Sequence, residues 1–409
     1  MIREYFADLA SGLESKLRDG GTATARKLYA LEVARLGMRL YGGGENVAWC
    51  GVLAPFDLLS SMGVTSCFVE FVGAMLASMN AVGPALSEAE NLGYSTDMCS
   101  YHRAINGAAA TGLMPEPGFL IATTCPCSGG LSTVESLAKK FKKDLFVIHV
   151  PNGNDGRSAE YLASQFRKMT AFVAAHTGRP LDPERLRHTV ALTNRTRELL
   201  IEVYSLAAKV PTPARRGDLP NFGFIMALLM GSEAGVQLAT AYRDEFAAKA
   251  AAGTAGVPGE SVRLMWFQNR VQFKNPLEKM LEEEFRAAVV IDELNSITWD
   301  PIDPDGPFES FAARALSNPL GGPVDRRVAN LLKLAREYRV DGVIHPCHWG
   351  CRQGTGARGL VQEALKKDGI PVLNLEVDCI DPRNFSEGQL RTRLQAFVET
   401  IAARKAKTA

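Results

Sequence analysis

Apolar residues recur at helical spacing within residues 1–45. Leu28, Leu31, Val33, Ala34 and Leu36 stand among charged neighbours, and Gly42-Gly43-Gly44 stops the pattern. The period then changes. Val47-Ala-Trp-Cys-Gly-Val-Leu53, closed by Pro55, is a continuous apolar run of strand length, and Ser66-Cys-Phe-Val-Glu70 is a second. Helical texture returns over Gly73–Asn80. Phe119-Leu-Ile-Ala-Thr123 then runs into the turn Thr124-Cys-Pro-Cys-Ser-Gly-Gly130, an amphipathic helix follows at Thr133–Phe141, and Asp144-Leu-Phe-Val-Ile-His-Val150 supplies another strand. Strand, loop, helix and strand in that order predict a βαβ unit with a parallel sheet.

Residues 159–252 carry a long helical texture interrupted at Pro211 and Pro213, and Ala250–Gly259 reads as an Ala/Gly loop. A second α/β region follows. Ala287-Ala-Val-Val-Ile-Asp-Glu293 predicts a strand, 326–338 a helix, Asp341-Gly-Val-Ile344 a strand, Ala357–Lys367 a helix ending at Gly369, and Ile370-Pro-Val-Leu-Asn-Leu-Glu-Val-Asp378 a further strand. In the last helix Leu390, Leu394, Phe397 and Ile401 mark one apolar face. The expected organisation is a helical segment at 1–45, an α/β domain at 46–180, a helical connection at 181–260 and a second α/β domain at 261–409. Both domains carry a strand that ends in a cysteine-bearing loop before a helix.

Composition narrows the function classes. With 46 basic against 45 acidic residues the net charge is +1, which lacks the basic excess of a generic nucleic-acid binder. The longest apolar run, near Phe222–Met230, falls short of the roughly 18 residues of a membrane span. Eight cysteines in 409 residues are too sparse for a disulfide scaffold, and Met1-Ile-Arg-Glu-Tyr-Phe does not open like a signal peptide. The expectation is a cytoplasmic protein with reduced thiols, in which clustered cysteines point to metal or redox chemistry.

Cys99, the pair Cys125 and Cys127, the pair Cys347 and Cys351, and Cys379 fall at or near predicted loops. Cys50 and Cys67 lie inside predicted strands and read as core. In open α/β sheets the carboxyl ends of strands hold ligand sites, and helix N-termini there stabilise thiolates. The spacing matches neither a ferredoxin run nor a zinc finger. Gly354-Thr-Gly356-Ala-Arg-Gly359, with Asp378 about 20 residues on, matches the dinucleotide fingerprint. A nicotinamide-dependent oxidoreductase is nevertheless disfavoured, because His345-Pro-Cys-His-Trp-Gly-Cys-Arg-Gln separates Ile344 from the first glycine. Glu70 at a strand end and His348 beside Cys347 are candidate catalytic groups, while Arg352 could offset an anion.

Three C-terminal strings, Asp341-Gly-Val-Ile-His-Pro-Cys-His-Trp-Gly-Cys-Arg-Gln, Gly369-Ile-Pro-Val-Leu-Asn-Leu-Glu-Val-Asp and Asp381-Pro-Arg-Asn-Phe-Ser-Glu-Gly-Gln-Leu-Arg-Thr-Arg-Leu, resemble the 2-hydroxyacyl-CoA dehydratase and benzoyl-CoA reductase subunit family. Upstream, Met98-Cys-Ser-Tyr-His-Arg-Ala and Cys127-Ser-Gly-Gly resemble its first two cysteine segments. The resemblance runs from about Val47 to Ala403. It implies two Rossmann-like parallel-sheet domains with an additional helical part, and a [4Fe–4S] cluster held by three cysteines, here Cys99, Cys127 and Cys351. Each of the last two has a neighbour in its loop, Cys125 or Cys347, that stays an alternative.

The resemblance further implies elimination of water from an (R)-2-hydroxyacyl-CoA through a ketyl radical started by one low-potential electron. Three ligands leave one iron open as a Lewis acid. A paralogous second subunit and an ATP-dependent iron–sulfur activator are the implied partners, since no Gly-x-x-x-x-Gly-Lys-Ser/Thr loop occurs in this chain. The alternatives are a subunit of an ATP-dependent benzoyl-CoA-type reductase and a non-catalytic electron-relay subunit.

Overall fold

The computed structural model describes residues 2–19 and 23–408. Among these, β1 (Gly44–Cys50), β2 (Thr65–Phe68), β3 (Pro117–Thr123) and β4 (Leu145–Ile148) form a parallel sheet in the order β2-β1-β3-β4. β5 (Val262–Trp266), β6 (Ala287–Asp292), β7 (Gly342–His348) and β8 (Val372–Val377) repeat that arrangement as β6-β5-β7-β8, again all parallel. The fold is α/β with two Rossmann-like sheets, as the pattern and the resemblance predict. In each sheet the chain moves outward on one side and then crosses to the other. The order therefore reverses between β1 and β3 and again between β5 and β7, and crossovers diverge there to open a crevice at the carboxyl ends.

One strand escaped the sequence pattern, and one was underestimated. β5 carries Arg263 at its second position, which interrupts the apolar run. The fold accommodates this charge because its guanidinium donates to the carbonyls of Tyr338 (2.9 Å), Lys209 (3.1 Å) and Ala208 (3.1 Å) and pairs with Glu260. β7 runs on to His348, although Pro346 argues against a central strand. The last β5–β7 pair is Trp266 with Ile344, so at Pro346 only β8 flanks the strand and the missing N–H leaves no gap in a ladder.

The chain does not lay its two sheets down as separate bodies. After β6, Ile302, Phe311 and Leu316 pack with Phe119, Ile148 and Leu162 of the first sheet's core. Arg314 locks this return with a bidentate pair to buried Asp57, both bonds 2.7 Å. The end of β8 also reaches across. Asp378 accepts from Ser100 Oγ, and Asp381 pairs with Arg103 at 3.2 Å. No helix among the described residues is long and apolar enough to cross a membrane.

Candidate functional site

A cavity of about 940 Å³ lies where the two crevices face each other. Its wall includes Val52 and Leu53 after β1, Cys127 after β3, Gln268 and Asn269 after β5, and Gly350 and Cys351 after β7. All four strands that border a reversal of strand order thus send their following loop into one space.

Three cysteines line that space, and each stands at the N-cap of a helix: Cys99 before Ser100–Ala110, Cys127 before Ser128–Phe141 and Cys351 before Arg352–Gly356. The first turn of a helix has unsatisfied N–H groups and a partial positive charge, both of which favour anionic sulfur. Cys127 Sγ accepts from the Gly130 N–H at 3.4 Å. Burial, then the neighbouring sulfurs Cys351 and Cys127, push the Cys99 thiol well up. Burial likewise raises Cys351, opposed by the Gly354 N–H and reinforced by Cys127. Each thiolate formed makes the next costlier unless positive charge enters among them, and this is the electrostatics of a metal-accepting set.

The structure brings Cys99, Cys127, Cys351 and Glu70 to the cavity wall and leaves Cys125, Cys347 and His348 off it. Cys125 lies against Gly321, where an added Cβ would come within 3.3 Å of its sulfur; burial first, and Cys127 second, push its pKa up to about 11. Cys347 is buried in β7 among His345 Nδ1 (3.7 Å), Asn374 Oδ1 (3.8 Å) and the Arg358 guanidinium (3.8 Å). His348 is also buried, and its Nε2–H donates to the Asn269 carbonyl at 2.7 Å, so it props the loop after β5 rather than facing the space. Asp378 is spent on Ser100 and on the N–H groups of Ile380 and Asp381, and Gly354 and Gly356 lie in the helix behind Cys351. The dinucleotide match therefore has another structural use.

Glu70 opens the helix Glu70–Ser78, with Oε1 3.8 Å from His102 Nε2 and Oε2 buried without a hydrogen-bond partner. Sequence reasoning missed His102. Its signal was the i+3 spacing from Cys99, which puts both at one end of the same helix. Burial works to lower the His102 pKa, but the Cys127 sulfur and the Glu70 carboxylate outweigh it and raise it to about 9. Gly129 makes this contact possible, because a Cβ there would lie 2.8 Å from the imidazole ring.

A second glycine fixes the distance between two of the cysteines. Gly350 has φ +72°, and a Cβ on it would fall 2.3 Å from the Cys99 backbone nitrogen and 2.4 Å from the Met98 carbonyl carbon. Gly350→Ala is expected to force the two loops apart and weaken metal retention by roughly 10–100-fold, the range for lost supporting groups. Iron analysis beside far-UV circular dichroism checks this; full iron retention would contradict it.

Among the described residues no three or more His, Cys, Asp or Glu side chains form a group able to hold a single metal ion. The three thiols instead border one shared space, and thiolates are the donor type that iron–sulfur clusters use. The 2-hydroxyglutaryl-CoA dehydratase, D-component family model matches residues 52–401. The chain belongs to this D-component family. Lactoyl-CoA dehydratase subunit alpha of Anaerotignum propionicum is 26% identical over 399 residues, covering 89% of this chain and 92% of the relative. (R)-phenyllactyl-CoA dehydratase alpha subunit of Clostridium sporogenes is 23% identical, covering 88% and 91% respectively. A benzoyl-CoA reductase subunit of Thauera aromatica is 22% identical, covering 78% and 80%. The matched D-component region contains all three cavity cysteines as well as Glu70 and His102.

Proposed function

We propose that this chain is the iron–sulfur subunit of a 2-hydroxyacyl-CoA dehydratase, with Cys99, Cys127 and Cys351 holding a [4Fe–4S] cluster. The observation that carries this reading is the convergence of three helix-capping thiols, drawn from both sheets, on one cavity in a chain of the D-component family. When bound, a cluster with three protein ligands supplies an open iron of Lewis-acid character and one-electron capacity.

The chain's own residues supply the rest. Glu70 Oε2 is an unpartnered carboxylate oxygen at the cavity and is the proposed acceptor of the substrate's β-proton. His102, its Nε2 3.8 Å from Glu70 Oε1, keeps Glu70 oriented beside Cys127. His348 acts at one remove, holding Asn269 and its loop against the cavity. Phe71 and Met230 from one apolar core and Phe166 and Phe311 from the other line the space. The reading includes a paralogous partner subunit and a separate ATP-dependent activator as the electron source.

The test is anaerobic purification with the partner subunit and activator, followed by assay with a 2-hydroxyacyl-CoA and with an aryl-CoA thioester. Redox-neutral release of water from the first supports the dehydratase. Turnover of the aryl thioester alone, with net electron consumption, favours the reductase reading that the match to the Thauera aromatica benzoyl-CoA reductase keeps open. Electron transfer without turnover of either thioester would leave the relay role.

A further inference from the structure

Two arginines in the cavity make no ion pair among the described residues. Arg216 is buried, its guanidinium carbon lies 4.4 Å over the Trp266 ring, and one terminal nitrogen is sealed from solvent without any hydrogen-bond partner. Arg270, four residues beyond Trp266, lines the same cavity, and among the described residues its guanidinium makes no hydrogen bond or ion pair. Tyr29 enters the cavity from the helix Ala25–Leu40, and its hydroxyl likewise bonds to nothing among the described residues.

The carboxylates nearby are committed elsewhere. Asp292 accepts from the Leu294 N–H and from Asn295, and Glu278 takes Arg26. Glu282 takes the Arg215 side chain and the Arg216 backbone N–H. Arg216 is buried and Arg270 half-buried, and although Asp292 and Glu278 act on both at a distance, no anion among the described residues touches either guanidinium. Holding such groups out of water without a contacting anion is costly, so the pair suits a ligand that completes it. The electrostatics agree: burial, and then the charge of Arg270, lower the Arg216 pKa to about 9. Tyr29 is raised to about 12 by burial, against the pull of Arg270.

Resting on the acyl-CoA reading above, we propose that Arg216, Arg270 and the Tyr29 hydroxyl form an anion subsite for a carboxylate on the acyl chain, so that the substrate is a dicarboxylic acyl thioester. A carboxylate offers two planar oxygens that match the guanidinium fork and leave a lone pair for a phenol O–H. The CoA phosphates are the other anions on such a substrate. They are multiply charged and strongly hydrated, which suits an exposed rim better than a buried pair against an indole ring.

The test is equilibrium binding to the full-length chain, purified anaerobically, read through tryptophan fluorescence, since Trp266 and Trp299 line the cavity. Glutaryl-CoA and butyryl-CoA are the probes; both lack the 2-hydroxyl group and differ in the terminal acid. Glutaryl-CoA is expected to bind at least about tenfold more tightly. Arg270→Met, and independently Arg216→Met, should abolish that preference while leaving butyryl-CoA affinity unchanged, and Arg270→Lys should restore part of it. Unchanged butyryl-CoA binding also certifies that the variants are folded.

Equal affinity of the native chain for the two thioesters would overturn the subsite and leave the acyl-CoA reading standing. If the variants weaken both thioesters alike, and also adenosine 3′,5′-bisphosphate, the arginines serve a CoA phosphate and the proposal is wrong. Binding of neither thioester sinks the acyl-CoA reading and the inference with it.

Discussion

Cys351→Ala, Cys99→Ala and Cys127→Ala are each expected to strip most of the iron and sulfide from the anaerobically purified chain. Dehydratase activity should fall by more than the roughly 10–100-fold typical of losing an outer supporting residue. All three thiols border one space at helix N-caps, so on the proposed assignment removing any one would leave the cluster with two protein ligands. The neighbours are the informative controls. Cys347→Ala removes a sulfur buried among His345, Asn374 and Arg358, and Cys125→Ala one set against Gly321; both should keep their iron. If Cys347→Ala or Cys125→Ala loses the cluster while its loop partner keeps it, the ligand assignment shifts by one cysteine. Zinc without sulfide in the native chain would remove the iron–sulfur chemistry altogether.

The second large effect is expected at Arg327. Its side chain is 3% exposed and that of its partner Glu293 is 0% exposed; Arg327 also stacks over Phe267 at 4.5 Å and donates to the Gln353 carbonyl at 3.0 Å. Glu293 in turn accepts from the Gln268 N–H at 3.3 Å, and Gln268 Nε2 donates to Gln353 at 2.7 Å. The pair therefore ties the loop after β5 to the helix that Cys351 caps. Arg327→Met strands a buried carboxylate, and destabilisation of about 3–5 kcal/mol is expected. Replacing both partners, Arg327→Met with Glu293→Leu, should return much of that stability, because no charge is then left unpaired. Iron content should not return with it, since the bonds from Arg327 to Gln353 are still missing. Thermal unfolding and iron analysis on the two variants, under nitrogen, separate the roles. Full iron in the double variant would show that the pair stabilises the fold without positioning Cys351.

Much of this architecture was legible in the chain because parallel strands buried on both faces write themselves as short apolar runs. Those runs located seven of the strands, and the cysteine-bearing turns after β3 and β7 located two of the three capping thiols. What could not be read were features set by contacts distant in sequence. β5 was hidden by Arg263, a charge made tolerable by carbonyls at 208, 209 and 338 together with the Glu260 carboxylate. Whether Cys125 or Cys127, and Cys347 or Cys351, faces the cavity depends on backbone direction at a strand end, which neighbouring residues of one type do not disclose. His102 looks like any helical histidine until Glu70 and Cys127 arrive beside it. The unpaired state of Arg216 and Arg270 is invisible in a chain of near-zero net charge, because pairing is a property of geometry rather than of totals.

The segment that returns after β6 bears on how the protein is made. Ile302, Phe311 and Leu316 complete a core whose other members were translated far earlier, and Asp378 and Asp381 dock the helix behind Cys99 from near the end of the chain. A ribosome that has finished the first sheet has thus released two of the three cavity cysteines, yet neither the last part of that sheet's apolar cover nor the clasp on its Cys99 helix. Folding of the first half is therefore expected to complete only when the second half is present. A truncation before residue 300 should yield an insoluble fragment instead of a half-built enzyme, with consequences for any attempt to express the halves apart.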